Sequence, residues 1–274
     1  MRRRLGRLAA LVGVGGIVVG ALLSVLAEIQ RRLLYFPVPE DVARATERAR
    51  LAGLEMWNIA GHFLGWRARS SAPPRAIVLV LHGNAGSALD RLYFREVFQS
   101  AGAVEVVLLE YPGYGPRHGD PSQESLVAAC REAVTLLRRD TLPLVLVGES
   151  LGSAVAVLAA AEQPGDVAGL ILVTPLASVT AVARRHYPFV PSALVADAYR
   201  ADLALPRFPG PVAFLVAGRD EVVFADLGLA LFEARAGPKR LWLETGAGHN
   251  DLRYDPRDPK WREVLQFLLP DVPW

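Results

Sequence analysis

The sequence predicts an α/β domain: a mostly parallel eight-stranded sheet with helices on both faces and a small helical cap. Three observations carry that expectation. Short β-branched runs recur at residues 76–81, 104–109, 142–147, 170–173, 212–216 and 240–243, each apolar enough to be covered on both faces. Helical patterns at 89–100, 122–139, 151–162, 226–236 and 259–269 separate most of them, and alternating strand and helix gives a covered parallel sheet. The length of 274 residues, 52% of them hydrophobic, suits one large domain with a short appendage.

At the start, residues 8–27 carry no charge and follow Arg2, Arg3, Arg4 and Arg7. Such a run predicts a membrane-targeting helix, either an uncleaved anchor or a cleavable signal ending at Val25-Leu26-Ala27. The run exceeds a usual signal core, which favours the anchor. The arginines before it, set against Arg31 and Arg32 after it, predict a single-pass protein with a cytoplasmic N-terminus and the main domain on the other side. Residues 1–34 are thus expected to be the anchor and its flank, 35–53 a juxtamembrane connector, and 54–274 the folded domain.

Residues 54–59 and 62–68 alternate across Ala60-Gly61 and predict an antiparallel hairpin at the sheet edge. Asp120-Pro121-Ser122-Gln123 marks a helix start, with proline in the first turn. The interval from Thr174 to Pro211 is too long for a plain loop, so a cap insertion is expected at about 175–208. Leu176, Tyr187, Phe189, Val190 and Leu194 within it are apolar enough to line a pocket, although packing of the cap explains them equally well. A net charge of +2 with scattered basic residues gives no nucleic-acid footprint. Cys130, alone of its kind, has no partner for an internal disulfide.

Gly148-Glu149-Ser150-Leu151-Gly152 joins an apolar run to a helical one, the strand, turn, helix context of a nucleophile elbow. A serine hydroxyl needs a base to take its proton and a carboxylate to orient that base. Asp220 follows the strand at 212–216 and His249 the strand at 240–243, so the chain order is Ser, Asp, His. Glu221 is a rival orienter. Of the other histidines, His62 falls in the hairpin, His82 at a strand end, His118 in a polar loop and His186 in the cap. Leu81-His82-Gly83-Asn84-Ala85-Gly86-Ser87 offers small residues where backbone amides can meet an oxyanion, which assigns that role to the amides of Asn84 and Leu151. Tyr111-Pro112-Gly113-Tyr114-Gly115 reads as a wall-forming turn.

Together these motifs resemble the α/β-hydrolase fold serine hydrolases from about residue 54 to the C-terminus. Leu34-Tyr35-Phe36-Pro37, the His-Gly-Asn-Ala-Gly, Tyr-Pro-Gly-Tyr-Gly and Gly-Glu-Ser-Leu-Gly segments and Arg185-His186-Tyr187-Pro188 look like the membrane-anchored α/β-hydrolase-domain proteins, a subgroup that includes depalmitoylases. The resemblance implies Ser150 as nucleophile, Asp220 as acid member and His249 as base, with an oxyanion hole at Asn84 and Leu151. It departs at Glu110, where relatives commonly carry Asp, and at Ala217-Gly218-Arg219-Asp220, where many carry His-Gly before the acid. The expected activity is hydrolysis of a small or lipid-like acyl ester or thioester, with no metal or organic cofactor required. A peptidase on the same fold and a non-catalytic membrane-tethered scaffold are the alternatives.

Overall fold

The structure, a computed structural model, describes residues 2–138, 141–189 and 191–274, the side chains within 2–16 excepted. The chain begins with a long helix, α1 (Arg2–Leu34), then a two-residue strand β1 (Phe36–Pro37) and α2 (Val42–Leu51). The hairpin β2 (Glu55–Ile59) and β3 (His62–Ala68) follows, then β4 (Ala76–Leu81), a short β5 (Ala85–Gly86) and α3 (Leu92–Ala101). The parallel core continues with β6 (Val104–Leu109), α4 (Gln123–Leu137), β7 (Leu144–Glu149), α5 (Leu151–Glu162) and β8 (Gly169–Val173). The insertion carries α6 (Val179–His186) and α7 (Ala201–Ala204), after which come β9 (Val212–Ala217), α8 (Ala225–Ala234), β10 (Lys239–Glu244) and α9 (Lys260–Leu268). Of the expected residues, Arg139 at the end of one helix and Val190 in the cap lie outside the described ones.

Eight strands form one sheet in the order β10-β9-β8-β7-β4-β6-β3-β2. β2 pairs antiparallel with β3, and β3 antiparallel with β6, while the remaining pairs are parallel. The period of two along β4 explains the unbroken apolar runs. Ile77, Leu79 and Leu81 enter one buried cluster with α4 and α5, whereas Ala76, Val78 and Val80 enter another with α3 and α9. Both faces of the strand are covered, so neither alternate set can be polar. Chain order reverses around β4, with β6 on one side and β7 on the other, and ligand sites in open α/β sheets form at the carboxyl ends beside such a reversal.

The N-terminus requires a correction. Among the described residues no helix is long and apolar enough to cross a membrane, which overturns the single-pass topology, the cytoplasmic N-terminus and the tethering expected above. The orienting arginines 2, 3, 4 and 7 lie outside the described side chains. From Ile17 onward the apolar stretch ends at Ala27, before Glu28, Arg31 and Arg32. The last turns of α1 instead pack on the domain: Leu34 lies against the core, and Tyr35 is buried in it. Residues 35–53 likewise contribute Ala45 and Ala49 to the core, and β1 pairs in parallel with β5.

Candidate active site

Ser150 sits at the turn between β7 and α5 with φ 52° and ψ −117°, a conformation that costs an ordinary residue about 1–3 kcal/mol and persists only where the surroundings enforce it. They do so from both sides. The Ser150 amide donates to Val173 O at 2.9 Å, and the Ser150 carbonyl accepts from the amide of Ser153 at 3.0 Å and from its hydroxyl at 2.6 Å. That hydroxyl also accepts from the Leu176 amide at 2.9 Å, which ties the elbow to the segment after β8.

The flanking glycines are required by contact rather than by dihedral angle. A Cβ on Gly148 would lie 2.3 Å from Gly152 O, and one on Gly152 would lie 2.1 Å from Leu81 O and 2.6 Å from His82 O. The partners are backbone atoms of α5 and of the end of β4, which cannot swing aside. Gly152→Ala is therefore expected to destabilise the fold by about 3 kcal/mol, a fall in melting temperature of about 6–12 °C for a chain of this size. A thermal melt unchanged by the substitution would refute the close approach.

Asp220 follows β9 and is buried, and one of its carboxylate oxygens accepts the amides of Val222 and Val223 at 2.9 and 3.0 Å. The other lies 2.7 Å from His249 Nδ1, and His249 Nε2 lies 3.0 Å from Ser150 Oγ. Burial raises the proton affinity of Asp220, but the bonds from His249 and the two amides outweigh it and hold the carboxyl below its usual range. His249 is carried by the loop after β10, which the Arg219 amide joins to the β9 loop through Ala247 O at 2.8 Å. Glu221 is exposed and takes no part.

Leu151 supplies the first amide of α5, one of the N–H groups that a helix leaves without an internal acceptor. Asn84 lies across from it on the wall of the same cleft. Its position is fixed three ways: its carbonyl accepts the Phe36 amide and the Tyr114 hydroxyl, each at 2.8 Å, and its side chain donates to Leu34 O at 2.8 Å. The Tyr111–Gly115 turn thus braces the Asn84 loop. His82 is buried beneath that loop, and its Nδ1 lies 2.8 Å from Gly83 O.

The cleft above Ser150 has a volume of about 430 Å³, in the range of small-molecule sites, and is lined chiefly by Leu, Ile and Val side chains. Of the insertion residues expected to line it, Leu176 and Tyr187 do so; Phe189, 80% exposed, and Leu194 do not. A larger, charged depression of about 630 Å³ lies at the β10 edge near Glu244, Asp251 and Lys260. Ser150 does not open into it, so the chemistry locates the site in the smaller cleft.

Two sets of residues escaped the sequence reading. Arg91, Tyr93 and Tyr254 converge on Glu149, the residue before the serine: Arg91 as an ion pair, Tyr93 by a 2.5 Å hydrogen bond and Tyr254 by a 3.3 Å one. On the other wall, Tyr35 and Arg31 converge on Asp197. No local pattern marks either group, because the partners meet only when distant segments fold together.

A serine, an imidazole and a carboxylate joined in series at the carboxyl edge of a largely parallel sheet form the architecture of a serine hydrolase. A family model described as serine aminopeptidase, S33, matches residues 72–201. An uncharacterized protein of Mycobacterium tuberculosis is 32% identical over 257 residues, 89% of each chain. Alpha/beta hydrolase domain-containing protein 17C of Xenopus laevis is 31% identical over 218 residues, 77% of this chain and 68% of the relative. Est1E from Butyrivibrio proteoclasticus shares the fold, with a TM-score of 0.66 and 16% identity, over 80% of this chain and 99% of its own. The chain belongs to the α/β-hydrolase family, and it is a hydrolase.

Proposed function

We propose that this hydrolase cleaves acyl esters or thioesters through a covalent acyl-serine intermediate. The observation that carries the reading is the unbroken series Asp220, His249, Ser150 ending at the floor of an apolar cleft. The Asp220 carboxylate fixes the His249 proton on Nδ1 and leaves Nε2 free to accept the proton of Ser150. Ser150 Oγ then attacks the acyl carbonyl, and the negative charge on its oxygen is met by the amides of Asn84 and Leu151. His249 passes the proton to the departing alcohol or thiol. Water, deprotonated by the same nitrogen, releases the acid and restores the serine.

Esters are favoured over the amino-terminal peptides that the family description would suggest. An aminopeptidase must hold a substrate ammonium, and the carboxylate lining this cleft, Asp197, is already engaged by Arg31 and by the Tyr35 hydroxyl. The mostly aliphatic walls offer an acyl chain what they deny a charged terminus. A scaffold role would leave no reason for the three side chains to remain in hydrogen-bond series.

The test is labelling with a fluorophosphonate, which reports an activated serine without a choice of substrate. Wild type is expected to label and Ser150→Ala not to. Labelling of both proteins would place the nucleophile elsewhere, and labelling of neither would favour a scaffold. With labelling established, p-nitrophenyl acyl esters are expected to turn over in preference to aminoacyl p-nitroanilides.

A further inference from the structure

The end of α1 meets the cleft along one face. Leu26, Ile29, Gln30, Leu33 and Leu34 line it, a spacing of three and four residues that returns to the same side of a helix at each turn. Leu34 marks the reactive end, since its carbonyl accepts the side-chain amide of Asn84 beside Ser150. Leu26 lies eight residues back, about 12 Å along the axis. The opposite wall is aliphatic too, with Val179 and Val182 of α6. Ile29 and Leu33 are 51% and 71% exposed, so the wall presents apolar surface that nothing among the described residues covers.

This stretch of helix is fastened to the insertion. The Gln30 amide donates to Leu194 O at 2.7 Å and accepts from the Ala196 amide at 2.9 Å. Arg31 Nε donates to Asp197 at 3.2 Å, and the Tyr35 hydroxyl donates to the same oxygen at 2.9 Å. The Tyr199 hydroxyl, 2.9 Å from that of Tyr35, completes the chain as donor to it. Burial pushes both phenols far up from their ordinary range, so they remain protonated donors. A helix held this way is a fixed wall and not a passing contact.

We infer that the last turns of α1 are a specificity element of the active site, a graded wall that sets the length of acyl chain the enzyme accepts. The inference rests on the acyl-serine reading of the cleft. A chain bound at Ser150 runs from Leu34 past Gln30 and Ile29 toward Leu26 and covers the apolar surface these residues expose. Longer chains reach farther along the helix, so the position of a bulky substitution dictates which chain lengths it blocks.

The experiment uses the full chain as wild type, Leu26→Trp and Ile29→Trp, with p-nitrophenyl esters from acetyl to hexadecanoyl, fluorophosphonate labelling and a thermal melt. Leu26→Trp is expected to lower the ratio of long-chain to acetyl kcat/KM by at least about tenfold, the discrimination that a blocked apolar contact gives. Ile29→Trp, one turn nearer Leu34, is expected to move the cut-off to a shorter chain. If Leu26→Trp does not fold, the exposed position Ile29 decides alone. A wild-type length profile in a folded variant that still labels overturns the role of α1 and leaves the acyl-serine reading intact. Failure of the wild type to label overturns both.

Discussion

Alanine at Ser150 or at His249 is expected to lower kcat by about 10⁶, and the double substitution to do no further harm. The two side chains act as one unit: the Oγ to Nε2 separation of 3.0 Å lets the imidazole take the proton as the oxygen attacks, and either partner without the other does almost nothing. The remaining rate would come from the amides of Asn84 and Leu151 and from substrate binding, which neither substitution removes. Steady-state kinetics on a short acyl ester, with a thermal melt to verify folding, make the comparison. If His249→Ala kept a tenth or more of wild-type turnover, another group would be the base. Of the remaining histidines, His62 and His118 are exposed away from the cleft and His82 is buried against Gly83 O, which leaves His186, on the cleft wall, as the one rival base to substitute next.

The parts of this molecule that sequence reveals are those fixed by local pattern. The central strands were expected within two residues of where they lie because both faces are covered, which forces runs such as Ala76–Leu81 to be apolar throughout. The elbow was legible because Gly148 and Gly152 are demanded by contacts that no other residue survives. Asp220 and His249 are candidates by their place after strands, and the fold brings them within 2.7 Å of each other; Asp220 differs from Glu221 in direction, one side chain turning in to the imidazole and the other out to solvent.

What failed was the membrane-spanning reading of α1. Mean hydropathy does not report the half-buried stripe of Leu26, Gln30 and Leu34 by which the end of α1 lies against the cleft. Nor could the sequence join Arg31 and Tyr35 to Asp197, because that contact spans more than 160 positions. Polar networks between distant segments carry no periodicity, so the bracing of Glu149 and the anchoring of α1 become visible only in the folded chain.

Asn in place of Asp220 is expected to lower kcat by about 10⁴ while Glu221→Gln leaves it unchanged. The carboxylate oxygen at 2.7 Å from His249 accepts a hydrogen bond from Nδ1–H and so keeps Nε2 free for the serine. An asparagine can present its amide N–H there instead, and the imidazole then carries its proton on Nε2, the wrong side for a base. The other oxygen of Asp220 is held by the Val222 and Val223 amides, which Asn can still satisfy through its carbonyl, so the loop should keep its shape and the loss should fall on kcat rather than on folding near neutral pH. A separate signature lies in acid. The carboxyl is held below its usual range, so its contribution to stability is complete above the ordinary carboxylate value of about 4 and is lost as pH falls through the lower value of the folded state. Asp220→Asn should therefore show a shallower loss of melting temperature than wild type as pH falls below about 4. Full activity in Asp220→Asn, or a large loss in Glu221→Gln, would move the orienting role to another carboxylate.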